Sequence, residues 1–261
     1  VMSRGLGDVY KRQVHNWSFV EKTKWPIMDS SEENFKVWSK KPFDKETIKE
    51  VYKLKKELNQ SDFNDIFHKN LEFGTGGIRG IMGVGPNRIN KYSLGKATQG
   101  ICNFIHDLGT KNPKVIIGYD SRNNGKYLSE VVADIFTANN IKTYIFDEIK
   151  PTPIISFGVR ELSCVCGIVI TASHNPPDYN GYKVYWSDGG QIVPPIDKKL
   201  IDSISRTNYT DINFAAKNNL KTTDCNKIEK EYLKKLSDYL KRINIKKEKK
   251  KLKVVFTPIH G

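Results

Sequence analysis

The chain has no run of about 18 apolar residues, the length a helix needs to cross a bilayer, so no membrane span is predicted. It has only four cysteines, Cys102, Cys164, Cys166 and Cys225, with no C-x-x-C pair and no Cys/His cluster at zinc-finger spacing. That pattern excludes a zinc-stapled module and predicts buried thiols in a reducing cytoplasm. Cys164 and Cys166 lie two apart on a predicted strand and are expected on one side of it. The first residues, which start with valine and carry Met2 second, lack the apolar centre of a secretory signal. Residues 1–15 are therefore set aside as a non-native or disordered start. A Walker loop, a Cys-x5-Arg loop and a D-x-D-x-D cluster are all missing. These absences argue against nucleoside triphosphate chemistry, cysteine phosphatase chemistry and a self-contained carboxylate metal site.

What is present is an ordinary globular composition, 38% hydrophobic with 12 Phe, 12 Tyr and 4 Trp among 261 residues. The formal net charge is +14. An excess of that size raises the question of an anionic partner, nucleic acid included. Its densest run, KKEKKK at 246–251, has no aromatic residues interleaved and falls in a predicted linker, so a solvated basic surface is the favoured reading and no nucleic acid is expected.

Periodicity divides the chain. Residues 16–70 form a predicted helical extension, in which Asp44 is placed to cap the amphipathic segment DKETIKEVYKLKKEL. The glycine-dense stretch 71–90 is predicted to be loop and turn, and 91–108 a helix. Apolar runs at 114–120, 142–147, 164–171 and 182–187 then alternate with helical segments. This predicts an α/β fold with a mainly parallel mixed sheet sandwiched by helices over 71–205. Residues 206–251 read as linker and helix, and 252–261 as the first strand of a second α/β domain.

The chemistry-bearing candidates cluster in two runs. GIVITASHNPPDYNGYK (167–183) leads a strand into Ser173 and His174, then two prolines, an Asn-Gly pair and Lys183. A serine hydroxyl is a poor nucleophile without activation. His174 follows immediately in sequence, so in an extended segment the two side chains would point apart, and the flanks do not form a G-x-S-x-G elbow. An Asn-Gly turn at 180–181 would bring Lys183 back to the serine. FGTGGIRG (73–80) offers close backbone approach and a guanidinium, Arg79, for phosphate. GYDSR (118–122) ends a strand with Asp120 and Arg122, where ligands gather in open α/β sheets.

The TASHNP…NGYK run resembles the phosphoserine loop of the α-D-phosphohexomutases, the family of phosphoglucomutase and phosphomannomutase. FGTGGIRG is similar to their N-terminal signature, with Gly76 where serine is common. Its continuation looks like the branch of bacterial phosphoglucomutases and phosphoglucomutase-2-type phosphopentomutases. The resemblance implies that Ser173 carries a phosphoryl group exchanged with a small-molecule sugar phosphate through a hexose 1,6-bisphosphate. It implies that Thr75, Arg79, Arg122 and His174 hold phosphate, that Lys183 handles a proton, and that Mg2+ binds the Ser173 phosphate. His260 matches a loop at the start of the family's second domain. The family's aspartate-rich metal loop, sugar-selecting loop and C-terminal phosphate loop have no counterpart in these 261 residues. The chain is therefore expected to be the N-terminal part of such an enzyme, inactive alone. Glucose, mannose or pentose phosphate specificity and oligomeric state are left open; the alternatives are a phosphopentomutase of the same family and a non-catalytic basic module that binds anions or nucleic acid.

Overall fold

A computed structural model describes residues 30–74, 77–243, 253–257 and 259–260. The predicted start (1–15), the basic run and Thr75 lie outside these residues. The extension folds as three helices, α1 (Ser30–Trp38), α2 (Lys45–Glu57) and α3 (Gln60–Phe67). Asp44 caps α2 as expected, accepting from the Thr47 amide at 2.7 Å. Trp38, Phe43, Phe63 and Phe67 are buried around Tyr92. The Tyr92 hydroxyl also donates to Asp44 at 2.9 Å, so the extension is anchored to the domain that follows.

That domain alternates as the periodicity requires. In order come β1 (Gly77–Ile81), α4 (Lys91–Asp107), β2 (Lys114–Tyr119), α5 (Gly125–Ala138), β3 (Lys142–Ile145) and α6 (Thr152–Glu161). They are followed by β4 (Cys166–Ile170), β5 (Tyr179–Trp186), α7 (Ile196–Arg206), the short β6 (Lys221–Thr222) and α8 (Asn226–Arg242). The strands form one sheet in the order β1-β5-β4-β2-β3-β6. β4-β2, β2-β3 and β3-β6 pair in parallel, while β5 is antiparallel to both β4 and β1. Every residue of β4 is buried, as a strand covered on both faces must be. On one face α4, α5 and α7 enclose a core through Leu94, Ile101, Val132, Phe136 and Leu200. On the other, α6 and α8 cover Ile116, Val169, Ile155 and Ile228.

Four sequence expectations change here. The glycine-dense stretch contains a strand, β1, because Gly77 and Gly80 allow close packing that larger residues would block; an added Cβ on Gly77 would lie 1.8 Å from the Tyr182 carbonyl oxygen. Asn180 and Gly181 do not form a turn: they lie inside β5, and the chain reverses earlier, over the prolines. Cys164 and Cys166 face opposite cores, because β4 begins only at Cys166, after a positive φ of 51° at Ser163. All four thiols are free and buried, and burial pushes those of Cys164 and Cys225 up to about 12. Residues 253–257, predicted as a strand, are exposed and carry no strand assignment. None of the described helices is long and apolar enough to cross a membrane.

Candidate active site

β2 leads into α5 towards β3, whereas β4 leads through the serine loop to β5 on its other side. The departing connections diverge between β2 and β4, which opens a crevice at their carboxyl ends. Strand parity decides which side chains line it. Lys183 pairs with Val169, and Val169 with Gly118; Arg79 pairs with Gly181, whose carbonyl accepts from the Thr171 amide at 3.0 Å. Successive side chains alternate faces, so Arg79, Thr171 and Lys183 share the α6 face. Ile78 and Tyr182 turn to the opposite core.

Ser173 sits at φ 60°, left-handed backbone that a serine adopts only when its surroundings hold it there. Those surroundings are explicit. The Thr171 hydroxyl donates to an Asp120 carboxylate oxygen and accepts from the Ser173 amide at 2.9 Å. The Arg122 side chain is fully buried. Its guanidinium donates to the carbonyls of Ser173 (2.7 Å), Asn175 (2.6 Å), Pro176 (2.8 Å) and Tyr179 (2.8 Å). The Asn180 side chain is buried too, donating to the Asn123 carbonyl at 3.0 Å and joining the loop after β2 to β5.

Arg122 thus does different work from that expected of it. Its four terminal N–H groups are bonded to loop carbonyls, so it shapes the serine loop from inside. The Ser-His expectation also changes. Because Ser173 is left-handed rather than extended, its Oγ comes within 3.4 Å of His174 Nδ1. That distance is too long for a strong hydrogen bond.

Ser173, His174, Lys183, Asp120 and Thr171 line one cavity of about 270 Å³. Burial, with the Arg79 charge beside it, pulls the Lys183 pKa below the usual lysine value; Asp120 opposes the shift. Replacing exposed Arg79 by alanine is expected to raise the Lys183 pKa toward that of an ordinary lysine. Carbon-13 NMR of the lysine Cε would show it, and an unmoved pKa would mean that the two cations do not sense each other.

Sequence reasoning missed Lys150 and the start of α6, which complete the cavity wall. Lys150 is ion-paired to Glu229 (2.9 Å) and Glu148 (3.3 Å), and these bonds hold it protonated. A signal was available: a basic residue just after β3 and just before a proline-started helix must sit at the carboxyl edge of the sheet. The first-turn amides of α6 add positive potential there.

Magnesium does not fit the residues present. Among the described residues no three His, Cys, Asp or Glu side chains could surround an ion. Asp120 is engaged by Thr171 and lies 3.6 Å from the Arg122 guanidinium. Hard cations require several oxygen ligands, so no step is assigned to a metal. Several lysines are paired locally with carboxylates, as in Lys221–Asp134, Lys235–Glu161 and Lys69–Glu72, which leaves the net excess of +14 as it was. His260 is exposed.

The family described as phosphoglucomutase/phosphomannomutase, alpha/beta/alpha domain I, matches residues 70–211. A Schizosaccharomyces pombe protein named "Probable phosphoribomutase" is 36% identical over 231 residues, covering 86% of this chain and 39% of its own length. A Staphylococcus aureus phosphoglucomutase is 34% identical over 218 residues, covering 82% of this chain and 38% of its own. The chain thus spans about two fifths of the length of these relatives. In fold it is similar to a Thermus thermophilus crystal structure named "putative phosphomannomutase", with TM-score 0.55 and 23% identity over 65% of this chain and 36% of that one.

Proposed function

Because this chain belongs to the phosphoglucomutase/phosphomannomutase family, we propose that Ser173 is its phosphoryl carrier in a sugar-phosphate mutase reaction. The observation that carries this reading is the left-handed Ser173, held at the crevice by the Arg122-clamped loop and facing Lys183 across one small cavity. In the proposed cycle the P–O bond of phosphorylated Ser173 breaks as a sugar hydroxyl oxygen attacks phosphorus. The hydroxyl proton passes to Lys183, whose pKa burial and the Arg79 charge lower, and from there to the departing Ser173 Oγ. The resulting hexose 1,6-bisphosphate turns over, returns its other phosphoryl to Ser173 and leaves as the isomerised monophosphate. His174 and Arg79 hold phosphate oxygens during the exchange. Phosphoryl transfer depends mainly on positioned charge. The proposal accordingly includes that these 261 residues, without an aspartate-rich loop, accept a phosphoryl group but do not turn over.

The test is incubation of the chain with glucose 1,6-bisphosphate, followed by peptide mass spectrometry. A phosphoryl group confined to Ser173 is expected. Labelling at another residue, or none under conditions that phosphorylate a full-length relative, would refute the assignment. A pentose substrate is the second reading, favoured by the relative named as a phosphoribomutase. Faster labelling from ribose 1,5-bisphosphate than from glucose 1,6-bisphosphate would select it.

A further inference from the structure

The face of β1 turned away from Arg79 borders a second cavity, of about 530 Å³, between α4, α7 and the residues leading into β1. Its size suits a small organic ligand. Leu71, Phe73, Ile78, Ala97, Ile201 and Ile204 make most of its wall apolar, with Asn70, Ser93 and Ser205 as polar groups on the lining. One cation enters it, Lys96 of α4. Lys96 is half-buried and has no hydrogen-bond or ion-pair partner among the described residues. Its ammonium lies 5.6 Å from the centroid of the Tyr209 ring, the one group among the described residues that compensates its charge. Burial alone pushes its pKa down, with no carboxylate opposing the shift. Glu72, at the rim, is directed to Lys69 at 3.2 Å and is largely exposed. The hydroxyl of Tyr209 is held by Asn70 at 2.9 Å, which fixes the ring as one wall.

An uncompensated charge in an apolar recess is unfavourable unless a ligand neutralises it. The charge count fixes the chemistry. A single cation matches a monoanion, and the apolar walls match an apolar body; a sugar phosphate, polar and doubly charged, satisfies neither.

We propose that the cavity beneath β1 binds a small monocarboxylate with an apolar body, its carboxylate paired with Lys96 and its body packed against Phe73, Ile78 and Ile204. The site is separate from the serine crevice and does not rest on the phosphoserine reading. Phe73 and Ile78 flank the glycine-rich run, so an occupant would brace the strand that carries Arg79 on its other face.

Methyl and amide NMR of the full 261-residue chain tests this with three probes: octanoate, octan-1-ol and inorganic phosphate. Octanoate is expected to shift the Ile78, Ile201 and Ile204 methyls saturably and to bind about tenfold more tightly than octanol, the gain of one charge-assisted pairing. Phosphate should leave these methyls unmoved. Lys96→Met should make octanoate and octanol equal, while Lys96→Arg keeps the preference. Ser205→Trp, at an exposed position on the cavity lining, should block octanoate with thermal stability unchanged. Equal affinity for octanol and octanoate in the wild-type chain, no saturable shift at these methyls, or phosphate acting there would overturn the proposal.

Discussion

Replacing Arg122 by methionine is expected to destabilise the chain by about 3–5 kcal/mol, the cost of breaking a buried charged network from one side. The side chain is fully buried, and its loss strips four carbonyl groups, those of Ser173, Asn175, Pro176 and Tyr179, of a donor. Asp120 would also lose the guanidinium 3.6 Å away. Lysine is a poor substitute: it places the charge on one nitrogen and cannot fork across carbonyls on both sides of the loop. Arg122→Lys should therefore fall between wild type and Arg122→Met in urea denaturation. Hydrogen exchange should rise first at the amides of the serine loop, because Ser173 keeps its left-handed backbone only while the clamp holds. If Arg122→Met costs less than about 1 kcal/mol, or leaves loop exchange unchanged, the clamp is not what shapes the loop.

Gly77→Ala should rival that effect, by a different mechanism. Gly77 has φ 125°, outside the range of L side chains, and an added Cβ would lie 1.8 Å from the Tyr182 carbonyl oxygen. Backbone cannot yield as a side-chain tip does, so β1 must separate from β5. We expect a loss of about 3 kcal/mol or more. The Arg79 charge would also move away from Lys183, raising the lysine pKa. Gly74, in the same run, is the control. Its Cβ would meet only the Gly77 carbonyl at 3.8 Å, an ordinary contact, so Gly74→Ala should leave stability near wild type. Equal losses at the two positions would show that the run needs glycine for general flexibility rather than for strand approach. Circular dichroism melts separate the outcomes.

The contrast between these two glycines shows where the sequence is informative and where it is silent. As a motif FGTGGIRG marks close approach, but not whether ligand or neighbouring strand does the approaching. For Gly77 and Gly80 it is protein: the Tyr182 carbonyl in one case and the Leu71 side chain in the other. GYDSR likewise placed Arg122 at a strand end, and the family resemblance implied that it holds phosphate. An arginine's donors are equally suited to phosphate oxygens and carbonyl oxygens, and only burial against the serine loop distinguishes the two. Lys150 was legible in principle, through its place after β3 and before α6, but nothing in its local pattern separates it from the many surface lysines.

By itself the amino-acid sequence determined the alternation of strands and helices, the cap at Asp44, the presence of a buried central strand within 164–171 and the run that places a serine at a sheet edge. These are properties of periods of two and 3.6 residues and of local turn chemistry, all readable over a dozen residues. Only the tertiary structure decided that β5 runs antiparallel, so that Lys183 faces the serine by strand pairing and not through an Asn-Gly turn. It also decided that Arg122 clamps a loop some fifty residues away, and that Lys96 is left unpaired in an apolar recess. Pairing, burial and charge compensation depend on partners distant in sequence, and no local pattern encodes which partner a side chain will meet.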